Sequence, residues 1–220
     1  MKDNDIHPVV RILKKECRKY ELPIVTKLAG RKDPYTVLIS TVLSARTKDD
    51  VTAGASERLF SRAPDARRLR TLSVKQIESL IYPVGFYKTK AKHLNALSAK
   101  LLDEYSGKVP DDLDELLTFP GVGRKTANLV LTLAFRKHGI CVDTHVHRIS
   151  NRLGYVDTKT PEQTEMALRE KLDKKYWIIY NDLLVAYGQN LCRPIGPHCD
   201  KCRIRKYCDY GRSGDAVPSG

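Results

Sequence analysis

The sequence predicts an all-α protein, and three observations carry that expectation. Apolar residues recur at helical spacing through most of the chain, helix-start signals precede those runs, and no stretch alternates over strand length. In chain order, Asp33-Pro34 reads as an N-cap followed by proline at the first helical position, opening a helix over Tyr35 to Ala45. Val37, Leu38 and Ile39 with Val42 and Leu43 make that helix apolar on nearly every side, so it belongs at the centre of a core. Ser73 with Gln76 and Thr160 with Gln163 have capping-box spacing, and Pro161 opens the second of these helices. Leu94, Leu97, Leu101 and Leu102 follow helical spacing, as do Leu113, Leu116 and Leu117. Two places change character. Residues 136–142 break the helical pattern at Gly139, and residues 192–208 are rich in Cys, Pro and basic side chains. Residues 211–220 read as a flexible tail.

Charge narrows the partner. The 220 residues carry a formal net charge of +13, which attracts a polyanion, with nucleic acid the leading candidate. No apolar run approaches the roughly 20 residues of a membrane span. The first twenty residues mix Lys, Asp and Glu with single hydrophobes, unlike a secretory or transit signal. The expected location is the cytoplasm, where the six cysteines are reduced and clustered ones ligate metal.

The most informative segment joins an apolar helix to Phe119-Pro120-Gly121-Val122-Gly123 and then to a helix starting near Arg124. Gly121 and Gly123 permit a tight turn whose N–H groups point outward, and beside a helix N-terminus such groups hold a phosphate oxygen. Val122 packs inward and fixes the turn; Ala127, Val130, Leu131 and Ala134 form the core face of the following helix. Lys125 and Thr126 then fall in its first turn. There the helix dipole and the neighbouring Arg124 favour the neutral amine that a nucleophilic lysine needs. Local physics equally allows Lys125 to neutralise a phosphate.

Beyond Gly139 comes Val142-Asp143-Thr144-His145-Val146-His147-Arg148. Asp143 has the form of an N-cap for a helix over Thr144 to Leu153, and a carboxylate there keeps its charge. A charged carboxylate also suits a reaction in which positive charge develops on a sugar. His145 and His147 stand two apart and share no helix face, which argues against a histidine metal pair. Cys192, Cys199, Cys202 and Cys208 are spaced C-x6-C-x2-C-x5-C. Four thiols in so short a loop call for a metal, and their chemistry alone leaves zinc and an iron–sulfur cluster both open. Cys17 and Cys141 fall outside the pattern.

The run Phe-Pro-Gly-Val-Gly-Arg-Lys-Thr-Ala, the glycine-containing link and Val-Asp-Thr-His-Val-x-Arg together resemble endonuclease III, of the helix-hairpin-helix DNA glycosylase superfamily. Leu43-Ser44-Ala45, Gly85-Phe86-Tyr87 and the cysteine spacing extend the resemblance over nearly the whole chain. It implies a six-helix lobe over 27–136 holding the hairpin at about 113–136, and an iron–sulfur lobe from 1–26 plus 137–210, with a cleft between. Lys125 would be the catalytic lysine and Asp143 the catalytic aspartate, facing each other across that cleft. The four cysteines would hold a [4Fe–4S] cluster. Arg46, Phe86 and His145 fall on positions that fill the gap left by a flipped nucleotide. Many bacterial relatives carry Gln and Leu where this chain has Arg46 and Phe86; that departure leaves the opposite-base preference open, and the donors of Arg46 point to guanine. Gly121 to Arg124, Thr126 and Arg148 would bind DNA, and Ser44 and Asp49 would line the base pocket. The implied activity is that of a monomeric, nucleoid-associated glycosylase and abasic-site lyase acting on oxidised pyrimidines such as thymine glycol in duplex DNA. The rivals are a glycosylase removing uracil or thymine opposite guanine, and a non-catalytic hairpin module with a structural metal.

Overall fold

The computed structural model describes residues 1–20, 24–28 and 33–213, and every regular element among them is helical. In chain order these are α1 (Ile6–Glu16), α2 (Ile24–Leu28), α3 (Pro34–Ser44), α4 (Asp49–Arg62), α5 (Ala66–Arg70), α6 (Val74–Ile81), α7 (Tyr87–Tyr105), α8 (Leu113–Leu117), α9 (Arg124–Ala134), α10 (Thr144–Arg152), α11 (Pro161–Lys171), α12 (Trp177–Asn190) and α13 (Asp209–Arg212), with short 3-10 turns between some of them. None of these helices is long and apolar enough to cross a membrane. The chain divides into two compact units, Ile24–Lys137 and Met1–Pro23 with His138–Gly220.

In the unit Ile24–Lys137, α3 is the hub, with α2, α4, α7 and α9 packed on it. Val37 to Leu43 are all buried, as an all-round apolar helix requires. Its start is set by Asp33, whose carboxylate accepts from Tyr35 N at 3.3 Å and Thr36 N at 3.0 Å, with Pro34 behind it. At α6 the box closes in both directions, Gln76 N to Ser73 Oγ and Ser73 N to Gln76 Oε1. The expected break after α9 has a different cause. Arg136 (φ +56°), not Gly139, takes the left-handed conformation, and Lys137 N bonds back to Leu131 O at 3.0 Å. Lys137 Nζ is then tied to the Asp111 carboxylate at 2.8 Å.

The second unit closes around α12. Ile6, Val9, Val10 and Leu13 put one apolar stripe of α1 into a core shared with Val146 and Ile149 of α10 and with Trp177, Tyr180, Leu184 and Tyr187 of α12. Two polar groups buried in this core are paired: Trp177 Nε1 donates to Leu172 O, and the Tyr180 and Ser150 hydroxyls meet at 3.2 Å. At α11 Thr160 Oγ1 accepts from Gln163 N, but Gln163 Oε1 turns to Lys159 N, one residue before the expected box partner. Gly211 is buried within α13, so ordered structure runs into the segment expected as tail; residues 214–220 lie outside those described.

Candidate active site

The hairpin is built from the backbone outward. Asp112 caps α8 through Asp114 N and Glu115 N; the chain then turns through Thr118 and buried Phe119, with Val122 N bonded to Phe119 O at 3.1 Å. Gly121 sits at φ +78°, and a Cβ there would stand 2.7 Å from His93 Nδ1, so both torsion and space exclude a side chain. Gly123 differs: it is extended (φ −99°, ψ 177°), and a Cβ would meet nothing within 4 Å. Its lack of a side chain leaves the amino end of α9 with no side-chain cap and open to close approach from outside. Val122 is buried. Lys125 is exposed in the first turn, beside half-buried Arg124, while Thr126 and Ala127 turn into the core. Burial of α9 is wider than one face, running without interruption from Thr126 to Leu133.

Asp143 lies at the amino end of α10, half-buried, and its Oδ1 accepts from both His145 N and Val146 N at 2.9 Å. The residue is therefore a true cap, and the same bonds hold its carboxylate in one orientation. His145 Nδ1 meets the Arg148 guanidinium at 3.1 Å, and Arg148 reaches on to Cys192 O at 2.7 Å and Gly188 O at 3.4 Å. Burial lowers the Arg148 pKa below its usual value. Both residues, expected at DNA, thus join α10 to the end of α12. Gly188 permits the approach, since a Cβ there would meet His145 Nδ1 at 2.5 Å. Arg152, one turn after Arg148, was not singled out by the sequence. It donates to Cys192 Sγ, Arg193 O and Pro194 O and covers the Tyr210 ring at 4.6 Å. The spacing Arg148–Arg152 on one helix face was the available signal.

Cys192, Cys199, Cys202 and Cys208 line one cavity together with Arg152, Tyr187 and Gly211. Three of the sulfurs receive hydrogen bonds: Cys192 from Arg152, Cys202 from the Tyr187 hydroxyl at 3.2 Å, and Cys208 from Gly211 N at 3.3 Å. Burial pushes the Cys208 thiol up to about 11 and raises Cys199 and Cys202 too, with the neighbouring cysteines adding to each shift. Among the described residues no three His, Cys, Asp or Glu side chains already stand at ligand geometry. The donor set nevertheless suits a thiophilic metal centre, with four sulfurs, no competing carboxylate and hydrogen-bond donors aimed at sulfur. Cys17 stands apart, its thiol bonded to Leu183 O, and Cys141 is buried.

Residues 39–174 match the HhH-GPD superfamily of base excision DNA repair proteins. The chain belongs to that superfamily. Within HhH-GPD proteins it is 46% identical to endonuclease III of Thermotoga maritima over 82% of this chain and 84% of the relative. It is also 44% identical to the endonuclease III-like protein 1 of Bos taurus, covering 81% of this chain but 59% of that longer protein. Among solved structures it is similar to a non-covalent endonuclease III–DNA complex (TM-score 0.87, 32% identity, 96% and 97% of the two chains) and to a trapped endonuclease III–DNA covalent intermediate (TM-score 0.85, 30% identity, the same coverage). A thermostable thymine-DNA glycosylase shares the fold, with a TM-score of 0.74 at 22% identity over 92% of this chain and 98% of that one.

Arg46 (φ +52°) and Phe86 (φ +58°) both adopt the left-handed conformation, and the guanidinium lies over the ring at 5.5 Å. Phe86 is 63% exposed, a large apolar side chain held at the surface. Ser44 Oγ donates to Thr41 O, and exposed Asp49 accepts from Ile24 N, so each of these has a local structural partner. Sequence reasoning missed Lys90, a buried lysine beneath this pair.

Proposed function

We propose that this endonuclease III-type enzyme, a DNA glycosylase and abasic-site lyase of base excision repair, acts on oxidised pyrimidines through Lys125 as nucleophile and Asp143 as carboxylate partner. Two observations support this reading, each within its own unit: an exposed first-turn lysine after the glycine turn at the start of α9, and an oriented carboxylate at the start of α10. The Lys125 amine attacks C1′, forming an N–C1′ bond as the C1′–base bond breaks and the base leaves with the electron pair. The Asp143 carboxylate stabilises the positive charge on the sugar and passes protons. Loss of a proton from the lysine nitrogen and of the ring oxygen from C1′ gives the Schiff base, which acidifies C2′. Removal of a C2′ proton then forms the C2′=C3′ bond and expels the 3′ phosphate, cutting the strand on that side of the lesion.

Gly121 to Arg124 and Thr126 would cradle a backbone phosphate, and Arg46 with Phe86 would enter the gap of the flipped nucleotide, Arg46 favouring an orphan guanine. The partner is duplex DNA carrying damaged bases or abasic sites, met in the cytoplasm at the nucleoid. Cys192, Cys199, Cys202 and Cys208 would hold a [4Fe–4S] cluster, whose contribution when bound is to cross-link the loop between α12 and α13. Arg152, Tyr187 and Gly211 would serve as donors to its sulfurs.

Incubation with abasic-site DNA and borohydride tests the chemistry. Wild type yields a covalent adduct, and Lys125→Ala yields none while losing more than roughly a thousandfold in excision rate. An adduct surviving that substitution would sink the assignment. The cluster is checked by broad visible absorption and iron content, both expected to disappear in Cys202→Ala; a colourless, zinc-loaded wild type would overturn it.

A further inference from the structure

Two adjacent features of the Ile24–Lys137 unit require something to hold them. Arg46 and Phe86 each occupy a left-handed conformation that crowds the Cβ of a non-glycine residue, and such conformations persist only where the surroundings over-determine them. Their surroundings converge on one side chain. Lys90, in the first turn of α7 and 7% exposed, donates from Nζ to Leu43 O at 2.8 Å, Ala45 O at 2.5 Å and Thr47 Oγ1 at 3.2 Å. These acceptors bracket Arg46. From its own backbone Lys90 N donates to Phe86 O at 3.0 Å, so one residue grips both halves of the pair. Thr47 completes the link: its hydroxyl oxygen also accepts from Gly85 N at 3.2 Å, and a Cβ at Gly85 would collide with the Arg46 carbonyl.

The geometry points to Lys90 as the positioning residue for the Arg46–Phe86 pair, fixing the spacing at which the two side chains enter the gap opposite a flipped nucleotide. This rests on the gap-filling reading of Arg46 and Phe86. A lysine suits the task because the carbonyls at the end of α3 carry the negative pole of that helix, and one ammonium reaches three oxygens at once. Neither an alanine nor a shorter polar residue would tie two segments more than 40 residues apart in sequence.

The test separates positioning from general support by comparing duplex with single-stranded substrates. A thymine glycol duplex reports excision. A 2-aminopurine opposite an abasic analogue reports unstacking of the orphan base, and borohydride trapping on a single-stranded abasic oligonucleotide reports chemistry that has no opposite strand. Lys90→Met is expected to lower duplex excision and the 2-aminopurine signal by about tenfold while single-strand trapping stays within about twofold. Thr47→Val, which removes the shared acceptor and spares the lysine, moves the same readouts in the same direction by less, and carries the test should Lys90→Met not fold. Adding Lys90→Met to Arg46→Ala/Phe86→Ala changes the duplex readouts no further. Equal losses on single-stranded and duplex DNA would overturn the proposal, as would an undiminished Lys90→Met effect in the Arg46→Ala/Phe86→Ala background. If Arg46→Ala/Phe86→Ala alone leaves the duplex readouts intact, the gap-filling reading itself has failed, and the proposal falls with it.

Discussion

The amino ends of α9 and α10 are served in opposite ways. α9 starts at Gly123, which brings no capping side chain, in a turn shaped by Gly121. α10 starts at Asp143, whose carboxylate takes two backbone N–H groups of its first turn. One helix end offers its positive pole outward, where a phosphate oxygen can complete it. The other keeps a fixed negative group at its own end. An end left bare is free to take a phosphate oxygen, whereas an end capped by a carboxylate holds that carboxylate in a fixed orientation. On the proposed mechanism, the contrast explains how a residue with the form of an ordinary helix cap would serve as a chemical group at no structural loss.

Asp143 gives the largest expected effect. Asparagine is as good an N-cap as aspartate, so Asp143→Asn keeps both backbone bonds and the melting temperature while excision falls by roughly 10²- to 10³-fold. Asp143→Ala loses the same activity and also about 1 kcal/mol of stability, read as a lower midpoint in thermal denaturation. Full activity in Asp143→Asn would reduce the residue to a cap and dissolve the comparison.

The two glycines of the hairpin sharpen it next. Gly121→Ala forces a Cβ onto His93 in a left-handed torsion and is expected to cost about 1–3 kcal/mol in chemical denaturation. Gly123→Ala meets no neighbour and changes stability by no more than about 1 kcal/mol, yet it puts a methyl group where, on the proposed reading, a phosphate would approach. Binding to an abasic-analogue duplex should weaken about tenfold, measured by fluorescence anisotropy. Unchanged affinity in Gly123→Ala would mean that the bare end of α9 is not where the backbone docks.

What the sequence disclosed followed the range of each interaction. Caps act over two or three residues, and Asp33, Ser73 and Asp143 announce themselves by type and spacing. The all-round apolar run of α3 likewise declared its central place. The cysteine spacing named four residues that do line one cavity, but it did not point to Arg152 and Tyr187 as their donors: Arg152 shows only as the i+4 neighbour of Arg148, and both meet the sulfurs through tertiary packing. The end of α9 misled for a related reason. Gly139 was the visible breaker, yet the left-handed turn falls on Arg136, where the Lys137 bonds to Leu131 and Asp111 decide the exit. Lys90 was hidden most completely, since nothing in Lys-Thr-Lys-Ala-Lys distinguishes the buried lysine from its solvated neighbours.

A third helix end carries the smallest effect. The carboxyl end of α3 is served by a buried ammonium, Lys90, in place of a glycine or solvent. Its partners are two carbonyl oxygens and a hydroxyl, none of them a carboxylate, and burial lowers its pKa from 10.5 to about 8. The sign follows from proton counting. Between about pH 8 and 10.5 the unfolded chain keeps the proton that the folded chain has released, so stability gains a contribution that rises with pH by at most about 1.4 kcal/mol per unit. Below pH 8 both states are protonated and the contribution is flat. Denaturant midpoints from pH 7 to 10 should therefore rise in wild type relative to Lys90→Met, which has no proton to release. Parallel pH profiles would show that the three oxygens hold the ammonium charged throughout, making the carboxyl end of α3 as permanently capped by charge as the amino end of α10.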